Sequence, residues 1–366
     1  MRANKGDGAE LRREIVGFRA AHFNDALARE ADRLLTELPS PLDRLDRSKI
    51  DKLQKFEWQP REVVAVLGAW KIASDSKPWR TLAFAPDASW LVAGGEETPL
   101  RAWSTGGPLF PLKLGGAPAR STLIAVSPDG GQFATAGSDG VLRLWDVTAR
   151  TQRAFERHPR PVVGLAYHPA GDRLATACGD GKIRLWDIAT GKRLHVWEAG
   201  ADVAALAFTP NGRDLFWALR TGNLCCADPQ RPETAPRRFP HKRGALRRLA
   251  FDRDGQRLIG VGADGSVTQW VWNGAGLREV ASVKGHDKGA HDIAFAPDGQ
   301  TFVTVGEDGF VKHWDAATHR PQRSWELRWP VLGVAFAADG RHFATANSNG
   351  TIYIFRLEST TALARK

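Results

Sequence analysis

A turn phrase that recurs seven times, the strand-like apolar runs on either side of it and an excess of tryptophan predict an all-β chain: a seven-bladed propeller behind a short N-terminal α-helical segment. The phrase reads Phe84-Ala85-Pro86-Asp87, Val126-Ser127-Pro128-Asp129-Gly130, Tyr167-His168-Pro169-Ala170-Gly171, Phe208-Thr209-Pro210-Asn211-Gly212, Phe251-Asp252-Arg253-Asp254-Gly255, Phe295-Ala296-Pro297-Asp298-Gly299 and Phe336-Ala337-Ala338-Asp339-Gly340. Its fourth residue falls at 87, 129, 170, 211, 254, 298 and 339, so the period stays between 41 and 44 residues. A period of about 40 to 45 residues with strand-like content marks a radial array of small sheets rather than a helical solenoid. Fourteen Trp against two Tyr and one Met point to a recurring position that requires one large aromatic.

Each period reads as strand, tight turn, strand, tight turn, strand. Apolar runs such as Leu165-Ala166-Tyr167 precede the first turn, and runs such as Leu174-Ala175-Thr176-Ala177 follow it. The Asp-Gly and Asn-Gly pairs tolerate the positive φ that a two-residue hairpin requires. A second turn stands at Asp139-Gly140, Asp180-Gly181, Thr221-Gly222, Asp264-Gly265, Asp308-Gly309 and Asn349-Gly350, before a third strand such as Ile183-Arg184-Leu185-Trp186. These strands are apolar on both faces more often than they alternate, as expected of sheets sandwiched between sheets.

Trp-Asp closes the third strand at Trp145-Asp146, Trp186-Asp187 and Trp314-Asp315, and Gly285-His286 opens a repeat. On these residues the chain resembles the WD40 repeat family, over about Arg61 to Leu357. In that family a His, a Ser or Thr, the turn Asp and the strand Trp form a hydrogen-bonded structural tetrad. The resemblance implies two here: His158, Thr176, Asp180, Trp186, and His286, Thr304, Asp308, Trp314. In both, His to Asp is 22 residues and Asp to Trp is 6. Other repeats depart from the pattern. The second keeps Thr135, Asp139 and Trp145 without a His; the fifth keeps His241, Asp264 and Trp270 but has Gly260 at the hydroxyl position. The first has Glu97 and Trp103, the seventh Asn349 and Phe355, and the fourth retains only the turn phrase.

A propeller must close, because an open ring leaves sheet edges unpaired. The last repeat ends after its third strand near Phe355-Arg356-Leu357, whereas Glu62 to Leu67 is a strand-like run with no partner in its own repeat. As leading strands do in WD40 proteins, this one is expected to complete the last blade. The chain therefore divides into a helical segment and linker over 1–60, a propeller over 61–357 and a tail over 358–366.

Within 1–60, Leu11, Ile15 and Phe18, then Leu27, Ala31, Leu34 and Leu38, recur at helical spacing. Asn24 or Asp25 is a candidate cap for the second helix, and Pro39-Ser40-Pro41 ends it. Two short amphipathic helices bury little alone, so they are expected to pack on the propeller or on something else, and removal of residues 1 to 58 is expected to be tolerated. The stretch from Leu38 to Pro60 also resembles the junction ahead of propellers in some bacterial WD40 proteins.

Three cysteines, Cys178, Cys225 and Cys226, argue against a disulfide framework and fit a reducing, cytoplasmic setting. No window approaches the ~18 apolar residues of a membrane-spanning helix, and Met1 to Glu10 lack an apolar stretch of the export-signal kind. The recurrence of His158, Asp180, His286 and Asp308 in register reads as scaffold rather than as catalytic pairs. His286 and His291, with Asp287 and Asp292, should diverge rather than bind a metal. Neither a phosphate-binding glycine loop nor a nucleophile elbow occurs. The expectation is a non-enzyme without cofactor or metal.

What remains is surface. In WD40 proteins the position four before each first-strand anchor often contacts a partner; here it holds Arg80, Thr122, Val163, Ala204, Arg247, His291 and Leu332. On the same loops stand Arg157, Arg160, Lys242, Arg243, Arg248, Lys288, Arg328 and Trp329. With a net charge of +10, a basic rim with Trp329 as aromatic anchor suits a protein or acidic peptide, bound through Arg80, Arg247, His291 and Trp329. The alternative is a nucleic-acid binder, ranked lower because the rim offers few aromatics for base stacking.

Overall fold

The computed structural model describes residues 7–23, 26–68, 77–105, 111–112, 120–200, 202–241 and 243–357. Its strands form seven four-stranded antiparallel sheets. The third blade is representative: Val162–Tyr167, Arg173–Cys178, Lys182–Asp187 and Arg193–Glu198 pair in sequence order, and the two middle strands are the most buried and the outermost the least. Each innermost strand packs on that of the next blade, and Thr81–Phe84 of the first blade meets Val331–Phe336 of the seventh, so the ring is closed. The closing sheet takes its fourth strand from the front of the chain, Val63–Leu67, antiparallel to Ile352–Arg356, with Leu67 opposite Ile352 and Val63 opposite Phe355.

One packing position accounts for five of the fourteen Trp. Trp103, Trp145, Trp186, Trp270 and Trp314 each stand opposite an apolar residue of the preceding strand, as Trp145 does Phe133 and Trp314 Phe302, stacked at 5.8 and 5.9 Å. The seventh blade uses Phe355 against Phe343, stacked at 4.6 Å. The fourth blade exchanges the two positions. Ala227 stands where the Trp belongs, and Trp217 takes the hydroxyl position of the neighbouring strand, where it reaches Trp197 of the third blade at 6.5 Å. Volume is thus retained between blades although the polar tetrad is not.

Two helices, α1 (Asp7–Ala21) and α2 (Ala26–Glu37), lie across the face that carries the repeated turn phrase. Buried Arg12 donates to the carbonyls of Leu35, Leu38 and Asp87 at 3.0, 3.2 and 3.2 Å. Asp32 is held between Arg19 at 2.7 Å and Arg253 of the fifth blade at 2.9 Å. Phe23 meets His168 edge-on at 5.9 Å, and Arg341 of the seventh blade pairs with Asp43 at 2.9 Å. The hairpin thereby covers one mouth of the central channel, leaving a cavity of about 730 Å³ beneath it. The residues proposed from sequence to cap α2, Asn24 and Asp25, lie outside the described residues, as does the 358–366 tail.

Two features of this segment add to what its sequence pattern predicts. First, the helices do pack on the propeller, but Arg12, Val16, Ala28, Ala31, Asp32 and Leu35 are the buried side, while Leu11, Phe18, Leu27 and Leu34 of the apolar stripe stay exposed. Second, residues 38–58, part of the 1–58 stretch whose removal is expected to be tolerated, contribute side chains to the propeller core. Leu42 is wholly buried in the core between the seventh and first blades, and Ile50 joins the core between the sixth and seventh. Arg47 donates to the carbonyls of Pro60, Val63, Phe56 and Gln59 at 2.7 to 3.4 Å, fixing the entry into the closing strand.

Candidate partner-binding face

The opposite face carries the second turns and the loops that lead into each innermost strand. Every innermost strand of the third to seventh blades begins with a register shift, and the residue skipped is Val163, Ala204, Arg247, His291 or Leu332. In the first two blades the corresponding Arg80 and Thr122 stand just before the strand. A bulge leaves its extra residue out of the ladder and re-aims its side chain. Five of the seven sequence positions expected to meet a partner are therefore ones that the ladder releases, a feature with no signature in the sequence, whereas the backbone N–H groups of Arg80 and Thr122 remain bonded to the neighbouring strand, at Gly94 and Ala136.

These positions are chemically lopsided. Blades three and four contribute Val163 and Ala204, and blade seven Leu332, whereas blades one, five and six contribute Arg80, Arg247 and His291. Arg247 donates to Nδ1 of His291 at 3.1 Å across the blade boundary. Burial, and then the charge of Arg247 and more weakly those of Arg80 and Arg248, lowers His291 to about 4, so it is a neutral acceptor at pH 7. Arg248 is already engaged, lying 3.6 Å from Asp292, whose carboxylate accepts from the backbone N–H groups of Ile293 and Val334. Neither Arg80 nor Arg247 has a carboxylate within 4 Å among the described residues. Trp329, 41% exposed, stands on the loop between the sixth and seventh blades beside the Gly309 turn. Its neighbour Arg328 is turned away, over the Trp58 ring at 5.2 Å. Arg157 and Arg160 border a shallow cleft between the second and third blades, Arg243 pairs with Glu279 at 3.3 Å, and Lys242 lies outside the described residues.

Beneath this face lie the tetrads. In the sixth blade the chain of donors is complete: the Trp314 indole donates to Thr304 Oγ1 at 2.8 Å, Thr304 to His286 Nε2 at 2.8 Å, and His286 Nδ1 to Asp308 at 2.9 Å. Burial lowers the His286 pKa despite that carboxylate, which keeps the ring neutral and the direction of donation fixed. Gly265 lets the His286 loop approach; with φ of +82°, a side chain there would meet the carbonyl oxygens of His286 and Lys288 at 2.1 and 2.2 Å. The Thr304 hydroxyl is wholly buried and engaged on both sides, an arrangement for scaffolding rather than nucleophilic attack.

The third-blade tetrad is incomplete, contrary to expectation. Trp186 and His158 both bond Thr176, at 2.9 and 2.8 Å, but His158 Nδ1 donates to the Gly140 carbonyl at 3.1 Å. Asp180 is taken by Arg184. The second blade repeats this diversion, Arg143 holding Asp139 at 2.7 Å. An Arg four residues after the turn Asp was the available signal, since the sixth blade has Lys312 there, placed over Phe310 instead. His286 and His291 diverge as expected, one to Asp308 and the other to Arg247. The one group of metal-type ligands among the described residues, Asp43, Asp339 and His342, is tied up internally: His342 donates to Asp339 at 2.9 Å and accepts from Arg356 at 3.0 Å, and Arg341 holds Asp43.

The pattern described as WD domain, G-beta repeat matches residues 121–146, 277–315 and 322–356, which include third-strand residues of the second, sixth and seventh blades. The chain is a WD40-repeat β-propeller. A second pattern, that of the anaphase-promoting complex subunit 4 WD40 domain, matches residues 150–211, covering the third blade and the start of the fourth. A comparison with curated proteins found no match. WD40 propellers are typically protein-interaction scaffolds, and no helix among the described residues is long and apolar enough to cross a membrane.

Proposed function

We propose that the chain is a non-catalytic platform that binds an acidic peptide or protein segment on its loop face, in a reducing, cytoplasmic setting that suits three buried free thiols. The observation that carries this reading is the pair Arg80 and Arg247 at the channel mouth, two cations without a carboxylate partner among the described residues, one of them resting on neutral His291. A carboxylate of the partner bridges them, and the Val163 and Ala204 side of the ring takes an apolar neighbour in the same segment. Trp329 supplies an aromatic edge farther along the face. Charge-led binding of this kind is screened over ~8 Å at physiological ionic strength.

The test is an array of acidic peptides and their amide counterparts, titrated with the protein at rising salt. Acidic peptides should bind, weaken with salt, and be lost with Arg80→Glu/Arg247→Glu while the ring stays folded. Equal affinity in that variant overturns the proposed face. Tighter binding of single-stranded or duplex oligonucleotides, lost in the same variant, overturns the choice of partner.

A further inference from the structure

The amphipathic hairpin turns its apolar stripe away from the domain it is fastened to. Leu11 and Phe18 of α1 and Leu27 and Leu34 of α2 are 38% to 49% exposed, four of the six large apolar side chains left exposed among the described residues. The fastening to the propeller is instead largely polar, through Arg12, Asp32 and their partners. The pair Arg19 with Asp32, and the bonds from Arg12 to the carbonyls of Leu35 and Leu38, fix the antiparallel register. That register places Leu27, Phe18, Leu34 and Leu11 in succession along one groove of about 18 Å, or three helical turns. Phe18 is held in place by His22, stacked at 4.1 Å.

We infer that this groove seats an amphipathic helix of a partner protein, with an apolar seam and basic flanking residues. Exposed apolar residues scattered singly need no explanation, but a concentrated seam between two helices is the form in which a third helix is received. The flanks name the charge. Arg33 is consumed by Glu30 and Glu37 at 2.7 and 3.8 Å, and Arg13 leans to Asp87 of the propeller at 3.8 Å. Glu10 and Glu14 have no cation within 4 Å among the described residues, so the uncompensated charge beside the seam is negative. Those carboxylates disfavour an anionic lipid surface. Four half-exposed side chains also fall short of the roughly 800 Å² per partner of a standard stable interface between two folded domains, so a second copy is the poorer occupant. The site lies on the face opposite Arg80 and Arg247, and its argument is independent of theirs.

The experiment uses the full chain and two synthetic 18-residue helices that share one leucine seam, flanked by lysine in one and by glutamate in the other, read by fluorescence anisotropy. The lysine-flanked helix should bind more tightly, at least tenfold. Phe18→Ser/Leu34→Ser, two exposed changes, should weaken it tenfold or more without altering the melting temperature, and Glu10→Lys/Glu14→Lys should invert the preference between the two helices. Arg80→Glu/Arg247→Glu should change nothing here. Absent binding, or binding indifferent to the Phe18 and Leu34 changes, overturns the inference. So does a result in which those changes abolish self-association in sedimentation, or binding to neutral or anionic vesicles, in place of helix binding.

Discussion

Arg184 holds both carboxylate oxygens of Asp180, at 2.6 and 3.2 Å, and His158 turns instead to a backbone carbonyl. The guanidinium fork matches a carboxylate in a way that an ammonium does not, so Arg four residues after the turn Asp wins the competition that Lys312 loses in the sixth blade. Although burial opposes it, the Arg184 contact helps bring Asp180 down to about 2, while burial and the Arg184 charge bring His158 to about 4. Arg184→Lys keeps the charge and removes the fork. Asp180 should then accept from His158, and the imidazole pKa should rise above 4 in an NMR titration; an unchanged value refutes the competition.

The complete tetrad is the stronger support for its blade. Removing His286 leaves the buried Thr304 proton without its acceptor and takes the imidazole donor from Asp308, which keeps only the backbone N–H groups of Asp287 and Phe310, at a cost of about 1 to 3 kcal/mol. His158→Ala takes the acceptor from the Thr176 proton but removes no donor from a carboxylate, and the Gly140 carbonyl keeps the backbone N–H of residue 158. Calorimetric melting should therefore show a larger drop for His286→Ala than for His158→Ala, with acidic-peptide binding on the loop face retained in both below their transitions. Equal drops would mean that Asp308 contributes nothing.

The seven-fold period, the hairpin turns and the borrowed closing strand were legible because each rests on local chemistry: glycine at positive φ, a paired aromatic, an apolar run without a partner. The bulges at Val163, Ala204, Arg247, His291 and Leu332 were not, since a skipped residue leaves no mark in composition. Nor was the orientation of the N-terminal hairpin. Its strongest periodicity, through Leu11, Phe18, Leu27 and Leu34, names an apolar face correctly but not what covers it, and the Arg12 and Asp32 contacts depend on carbonyls and side chains distant in sequence.

Among the described residues the buried Nε2 of His313 has no hydrogen-bond partner, and burial with the charge of Arg323 lowers its pKa to about 4, against about 6.5 for an ordinary histidine. The folded state thus resists a proton that the unfolded chain accepts. The stability at stake is fully present above pH 6.5 and is lost as pH falls from 6.5 toward 4. His313→Leu removes both the orphaned atom and the titration. Urea midpoints should show no loss at pH 7.5 and a shallower decline between pH 6.5 and 4 than the parent protein; parallel declines would assign the acid sensitivity to other groups.

The N-terminal segment should lose its importance in steps rather than at one boundary. Deleting 1–38 removes α1, α2 and the Arg253 to Asp32 bond, but keeps Asp43 on Arg341 and Leu42 in its core. Deleting 1–58 also takes Leu42, Ile50 and the Arg47 clamp. Full burial of each of those two apolar side chains contributes about 1.5 to 3 kcal/mol, a large fraction of the stability of a marginally stable fold. Deleting 1–68 opens the ring itself by removing Val63–Leu67 from beside Ile352–Arg356, which bares a sheet edge to aggregation. Thermal midpoints should therefore fall modestly for the first deletion and severely for the second, and the third should yield aggregated protein. If the 1–58 deletion melted with the 1–38 deletion, Leu42, Ile50 and Arg47 would be passengers on a ring that the closing strand holds unaided.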